Sequence, residues 1–318
     1  MLTLFFCIAI GFALRKAEIL PPNAGKVMAK LITWVFYPAL SFTAMAKYCT
    51  VSSLSTHATN ILLSSLGVAV AMGLAFALAR VFVREKGYER NIYTYALAFA
   101  NSAYMGDPLV LALFGEEMLS YYKLYCLPVT LTIYTWGISA LVPRSDKKEN
   151  PLKKLCNPPM VAMFLGIAVG LSGLGAHLPN FAVSTLNSLK GCMGPVAMLL
   201  VGFTVASYPT KDVIAKKAVY VSSLFRLVFI PTVIIVVLFG IKTLAGLAFG
   251  LSIGNTVLFL CFFAVATPFG LNTVVFPEAF GGNPKTGASM ALVSHTLGVL
   301  TLPLLYALMV LLFGTPSL

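Results

Sequence analysis

Two short stretches hold most of the residues whose types and spacing could bind or move a polar molecule. The first is Asn101-Ser-Ala-Tyr-Met-Gly106-Asp107-Pro108 and the second is Ala266-Thr267-Pro268-Phe-Gly270-Leu-Asn272. Each lies inside an apolar run, at 92–114 and 250–277, where a membrane helix is expected. Gly and Pro interrupt helical hydrogen bonding. Backbone freed inside a bilayer costs several kcal/mol per group unless protein or a water-lined cavity satisfies it. Broken spans at membrane depth therefore point to a place where something polar binds.

The chemistry suggested is anion recognition. Asp107 followed by Pro108 reads as a helix start, with Asp as N-cap and Pro at the first helical position. The fourth span then becomes two half-helices meeting near Gly106. The second half presents free N–H groups and a partial positive charge, suited to a carboxylate. The second stretch reads the same way, with Thr267 as cap before Pro268. The two spans run in opposite directions, so their breaks cross antiparallel and their partial charges converge. Asn101 and Asn272 stand beside the breaks, either lining the site or hydrogen-bonding between helices. Asp107 keeps two readings, as an ionised cap or as a protonatable group that couples proton movement to transport. The candidate substrate-binding set is Asn101, Gly106, Asp107, Pro108, Thr267, Pro268, Gly270 and Asn272.

Two further intramembrane residues join Asp107 as candidate coupling or charge partners. Arg226 sits well inside the eighth apolar run. It reads either as a partner for a substrate carboxylate, or as a side chain that snorkels or pairs with backbone carbonyls. His295, in Val-Ser-His-Thr-Leu, is either a group titrating near neutral pH or a helix–helix hydrogen-bonding residue. Enzyme chemistry finds no constellation, with no Walker loop, H-E-x-x-H or G-x-S-x-G. No cofactor or metal is expected. The six cysteines contain no C-x-x-C, and most read as small buried hydrophobes.

The elements that must position these residues follow from composition. Of 318 residues, 59% are hydrophobic and 10% charged, with a mean hydropathy of +0.91. Soluble domains carry about 25% charged residues, so the chain reads as an all-α polytopic membrane protein. Apolar runs fall at 1–14, 29–46, 61–83, 92–114, 119–142, 158–175, 186–206, 217–240, 250–277 and 287–313, which gives ten transmembrane helices. The first is either a short helix or one that begins upstream. The net charge of +12 is carried by short basic clusters between runs, not by a nucleic-acid-binding patch. Those clusters alternate between loops. The positive-inside rule places the odd loops in the cytoplasm and both termini outside.

The basic stretch 143–157 reads as a cytoplasmic linker between two five-helix repeats, 1–142 and 158–318. An odd number of helices per repeat inverts one against the other. Pro38 matches Pro195, and Pro108 matches Pro268, at nearly constant offset.

These motifs carry a family likeness. Tyr37-Pro38-Ala39-Leu40, Asn101 through Pro108 with Leu113-Phe114-Gly115, Asn157-Pro158-Pro159, Gly194-Pro195 with Leu199-Leu200-Val201-Gly202, and Leu302-Pro303-Leu304 lie in an order that resembles the auxin efflux carrier family. The resemblance implies inverted five-helix repeats with crossed, broken helices 4 and 9, as in the sodium/proton antiporter-like fold. It implies a scaffold of helices 1, 2, 6 and 7 and a moving domain of helices 3–5 and 8–10. The implied function is secondary transport of small organic anions such as malate, malonate or auxin-like carboxylates, proton-coupled or uniport, by elevator-type alternating access. The expected partners are the lipid bilayer of the plasma or inner membrane and a second copy of the chain. Relatives usually carry an apolar residue where Asp107 stands. Two alternatives stay open: a sodium-coupled symporter of bile-acid type, and a non-transporting receptor or assembly protein that kept the fold.

Overall fold

The computed structural model describes residues 2–56, 58–142, 158–208, 216–249 and 254–314. The linker expected at 143–157 and the start of the ninth run at 250–253 lie outside the described residues. Among the described residues the chain is helical and forms no strand. The helices are α1 (Leu2–Lys16), α2 (Ala24–Tyr48), α3 (Ala58–Phe82), α4 (Tyr88–Ala98), α5 (Asp107–Tyr125), α6 (Leu127–Leu141), α7 (Pro158–Leu171) and α8 (Asn180–Ala206). They continue with α9 (Lys217–Phe249), α10 (Thr256–Val265), α11 (Asn272–Phe280) and α12 (Lys285–Phe313). Five of them, α2, α3, α8, α9 and α12, are long and apolar enough to cross a membrane as single helices. The fourth and ninth runs each divide into two helices, as expected.

Several helices contain one π turn, at Ile32–Phe36, Ser102–Gly106, Ile133–Gly137 and Phe225–Phe229. Three of these end one residue before an X-Pro pair whose first member closes the turn: Tyr37-Pro38, Asp107-Pro108 and Ile230-Pro231. The cause is local. Proline has no N–H for the carbonyl four residues back, and its ring pushes that carbonyl away. The N–H just before the proline then reaches five residues back, as Tyr37 does to Ile32 and Asp107 does to Ser102.

The chain packs as two compact units, and each takes segments from both sequence halves. The first comprises residues 1–58, 130–215 and 271–292. In it, α1 lies against α8 with backbone almost on backbone: Gly11 faces the Leu199 carbonyl and Gly202 faces that of Ile8. In the same way α7 meets α2 through Gly166 and Gly170, whose Cβ positions would lie 2.6 and 2.5 Å from the carbonyls of Phe42 and Met45. Small residues let membrane helices approach this closely, and dispersion then supplies the attraction that lipid-exposed apolar area cannot.

The second unit comprises residues 59–129, 216–270 and 293–318. Its core includes an aromatic cluster of Phe114, Phe259, Phe262, Phe263 and Tyr306, with ring centroids 5.1–6.3 Å apart. This unit holds both helix interruptions.

Candidate functional site

The first interruption lies earlier than the position of its proline suggests. α4 ends at Ala98, and Phe99 is extended (φ −117°, ψ 127°). Helical geometry resumes at Ser102, so the break is Phe99–Asn101. Gly106 is helical (φ −63°, ψ −47°), as is Asp107 (φ −54°, ψ −54°). The expected meeting of half-helices at Gly106, with Asp107 as N-cap, is therefore corrected. Asn101 occupies the cap position, and its carbonyl accepts the first bonds of the resumed helix from Met105 and Gly106, at 3.1 and 3.2 Å. The second interruption runs from Ala266 to Leu271. Thr267 is not the cap expected of it, because α11 starts five residues further on, at Asn272, with Leu271 before it.

The two breaks meet each other. The Asn101 N–H donates to the Pro268 carbonyl at 2.8 Å, and the Gly270 N–H donates to the Phe99 carbonyl at 3.2 Å. Together they form an isolated antiparallel bridge of Ala100 with Phe269. Each break thereby satisfies polar backbone groups that the other exposes, which makes an open chain tolerable at this depth. Gly270 suits this contact because a Cβ there would lie 3.3 Å from both the Phe99 and Ala100 carbonyls.

A third element clasps the crossing. On α12 the Ser294 hydroxyl accepts from the Phe269 N–H at 3.2 Å. His295 Nε2 lies 3.0 Å from Asn101 Nδ2. One turn on, a Cβ at Gly298 would lie 2.8 Å from the Pro268 ring. Sequence reasoning singled out His295 but missed Ser294 and Gly298. Their i, i+1, i+4 spacing was visible, but nothing local linked them to Pro268.

Arg226 lies in the π turn of α9 and is fully buried. It does not snorkel. Its Nη1 donates to the Leu97 carbonyl at 3.0 Å, one of the carbonyls left open at the end of α4. A cation at a helix C-terminus is favourable, so this supports the carbonyl-pairing reading. Its Nε and Nη2 have no partner among the described residues. The buried Asn101 Oδ1 and Thr267 Oγ1 are likewise without a donor there. Polar atoms in this state are uncommon in folded proteins and call for an explanation such as a ligand.

Asp107 is neither a cap nor a lone acid. Its carboxylate pairs with Lys123, and both side chains are nearly buried, at 13% and 11% exposure. The pairing follows from the turn between them. Gly115 has φ +80° and ψ −174°, which reverses the chain inside the segment labelled α5. Asp107 and Lys123 stand eight residues to either side of it. Beside Lys123, the Tyr122 hydroxyl lies 3.3 Å from the carbonyls of both Ser102 and Phe263. A Cβ at Gly106 would collide with this hydroxyl. Gly106 therefore serves close approach and does not break the helix.

The crossing thus gathers Asn101, Pro268, Gly270 and His295 through direct hydrogen bonds. Pro108 is the second residue of α5. Asn272 is buried at the start of α11, which belongs to the first unit. A cavity of about 20 Å³ borders Ala98–Ala100 and reaches Ser64, Tyr125 and Ala264, roughly the room one water needs. No cluster of His, Cys, Asp and Glu suited to a metal occurs among the described residues. Of the described cysteines, Cys49, Cys126 and Cys261 are buried, Cys7 is half-buried, and Cys192 is exposed.

A polytopic helical protein with two interrupted helices sealed against each other belongs to the class of membrane transporters. The model of the membrane transport protein family matches residues 1–306, and the chain belongs to that family, the auxin efflux carriers. It is similar to an uncharacterized transporter of Methanothermobacter thermautotrophicus, 23% identical over 208 residues, which cover 64% of this chain and 66% of that protein. A second relative, an uncharacterized transporter of Methanocaldococcus jannaschii, is 21% identical over 215 residues, covering 65% of this chain and 68% of the other.

Proposed function

We propose that the protein is a secondary carrier of small organic anions such as malate, malonate or auxin-like carboxylates, and that the anion binds at the crossing. The observation that carries this reading is the juxtaposition there of unmet polar groups with the start of a half-helix. The N–H groups of residues 102–104 open the resumed helix and have no intrahelical acceptor. Such a helix start attracts negative charge. Beside it stand the Asn101 amide and the Arg226 guanidinium, each with polar atoms that lack partners. The Asp107–Lys123 pair contributes no net charge, and Arg226 supplies a buried positive charge at the end of α4. The carrier sits in the cell membrane with its basic loops inside, and it moves its site across by elevator-type alternating access.

The test is uptake of labelled malate, malonate and indole-acetate into proteoliposomes under imposed ΔpH or ΔNa⁺, with Asn101→Ala beside wild type. Uptake of one carboxylate, reduced about tenfold or more by the substitution, is expected, because Asn101 joins both the bridge and the proposed ligand. Normal uptake by Asn101→Ala would remove the crossing as the site. Uptake that needs Na⁺ and ignores pH would mark a sodium-coupled symporter.

A further inference from the structure

The Asn101–His295 pair leaves the wrong atom available for a carboxylate. With Nδ2 set 3.0 Å from His295 Nε2, the amide donates to the ring. That requires a lone pair on Nε2, hence a neutral imidazole carrying its proton on Nδ1. The remaining amide atom, Oδ1, is a buried acceptor with no donor among the described residues. A buried acceptor without a donor favours a cation or a hydroxyl and repels an anion.

We propose that His295 binds the proton that accompanies anion loading, and that it does so by turning the Asn101 amide over. This rests on the carrier reading above and adds its coupling step. An imidazolium has two N–H donors and no acceptor. Once Nε2 carries a proton, Nδ2 can no longer donate to it, and Oδ1 must take its place. The amide rotates by about half a turn about χ2, a soft sp³–sp² torsion. The proton comes from solvent and stays on the ring, and no other bond forms or breaks. The amide N–H₂ then stands where an oxygen stood, and a positive charge stands behind it. That arrangement receives a carboxylate with charge-assisted hydrogen bonds. The empty site favours the neutral ring and the loaded site favours the imidazolium, so proton and anion bind together.

The surroundings suit such a switch. Both residues are almost fully buried, Asn101 at 1% and His295 at 5% exposure, so the exchange of one amide atom for the other is not masked by bulk water. The backbone of Asn101 is pinned to Pro268, and Ser294, the neighbour of His295, is pinned to Phe269. The side chains can change partners while the crossing stays shut. On the elements packed around the crossing, the charged and titratable groups include Arg226, held on the Leu97 carbonyl, Tyr122, held between Ser102 and Phe263, and the mutually neutralised Asp107 and Lys123. The buried Tyr95, Tyr125, Cys126 and Cys261 lie on the same elements, and Glu116 and Glu117 follow Gly115 at the hairpin tip. Tyr104 lies on the resumed turn itself. An arriving carboxylate supplies the counter-charge that the imidazolium needs.

The experiment uses the full chain in liposomes, with malonate as probe and two independent readouts. The chain has three histidines, so ¹⁵N-histidine spectra are simple to assign with His295→Gln as reference. His295 is expected to pass from the Nδ1–H neutral form to the imidazolium between about pH 5 and 8. The Asn101 side-chain ¹⁵N signal should change in step, and malonate should move both transitions to higher pH. In uptake, wild type should carry protons with malonate, and its affinity should change roughly tenfold per pH unit on the alkaline side of the transition. Residual uptake in His295→Gln should show no proton signal and a flat pH profile. A ring that stays neutral throughout, a titration that leaves Asn101 unchanged, or proton co-uptake kept by His295→Gln would overturn the proposal. Absence of malonate uptake by wild type counts against malonate as substrate, and the coupled titration of His295 and Asn101 in the unloaded protein then decides the switch by itself.

Discussion

α8 and the crossing meet the same disturbance in opposite ways. Pro195 lies inside α8, and the helix runs on from Asn180 to Ala206. Pro303 sits inside α12 with the same result. At the crossing the chain leaves helical geometry at Phe99–Asn101, seven residues before Pro108. A proline alone therefore does not open a span, although Pro268 lies within the second break. A lone proline removes one hydrogen bond, and the helix absorbs the loss by kinking or by a π turn. Phe99 and Asn101 leave the helix because Gly270 and Pro268 meet their backbone groups from the opposite strand. At this crossing the break is shared by two segments, each of which meets backbone groups that the other leaves open.

Substitutions can break or sharpen this contrast. The largest effect is expected from Gly106→Val, because its side chain would enter the space of the Tyr122 hydroxyl between two carbonyls. A loss of about 3 kcal/mol is expected from such overpacking, with uptake abolished. Denaturant unfolding in detergent measures it, and a stable, active variant would show that the resumed helix does not depend on close approach there. An intermediate effect is expected from Pro231→Ala. The new N–H at 231 would restore the α-helical bond to residue 227 and remove the π turn, rotating Arg226 by about a third of a turn away from Leu97. Uptake should fall several-fold or more while stability changes by less than about 1 kcal/mol. An unchanged Arg226–Leu97 contact in a structure of this variant would refute the proline account of the π turns. The smallest effect is expected from Pro195→Ala, within about 1 kcal/mol in either direction and without loss of uptake, since α8 already accommodates its proline.

Much of the architecture could be read in the sequence because a bilayer imposes it. The apolar runs placed α1, α3 and α12 within three residues at each end, while α2 and α8 begin five and six residues earlier than expected and α9 ends nine residues later. The two broken spans were also legible, since Gly, Pro, Asn and Asp have few other reasons to cluster in lipid. What misled was treating Gly106-Asp107-Pro108 as the break itself. The π turns were not legible from X-Pro pairs alone, since Pro195 and Pro303 sit in helices without one and the turn at Ile133–Gly137 has no proline after it. The bond from Asn101 to His295 was not legible either, because it joins residues 194 apart through packing alone. Nor was the Asp107–Lys123 pair, which needed the reversal at Gly115 to be recognised as a turn.

That reversal has a consequence for how the chain enters the membrane. An acid and a base placed symmetrically about a glycine tip become neutral together as soon as the hairpin closes, before α9, α10 or α12 has been made. Asp107 and Lys123 can then leave the translocon as a neutral pair, which spares these two residues separate passages through lipid that insertion scales put at about 2.5–3.5 kcal/mol each, while Glu116 and Glu117 stand at the tip of the hairpin. That pairing depends on Gly115, whose positive φ sets the fold-back.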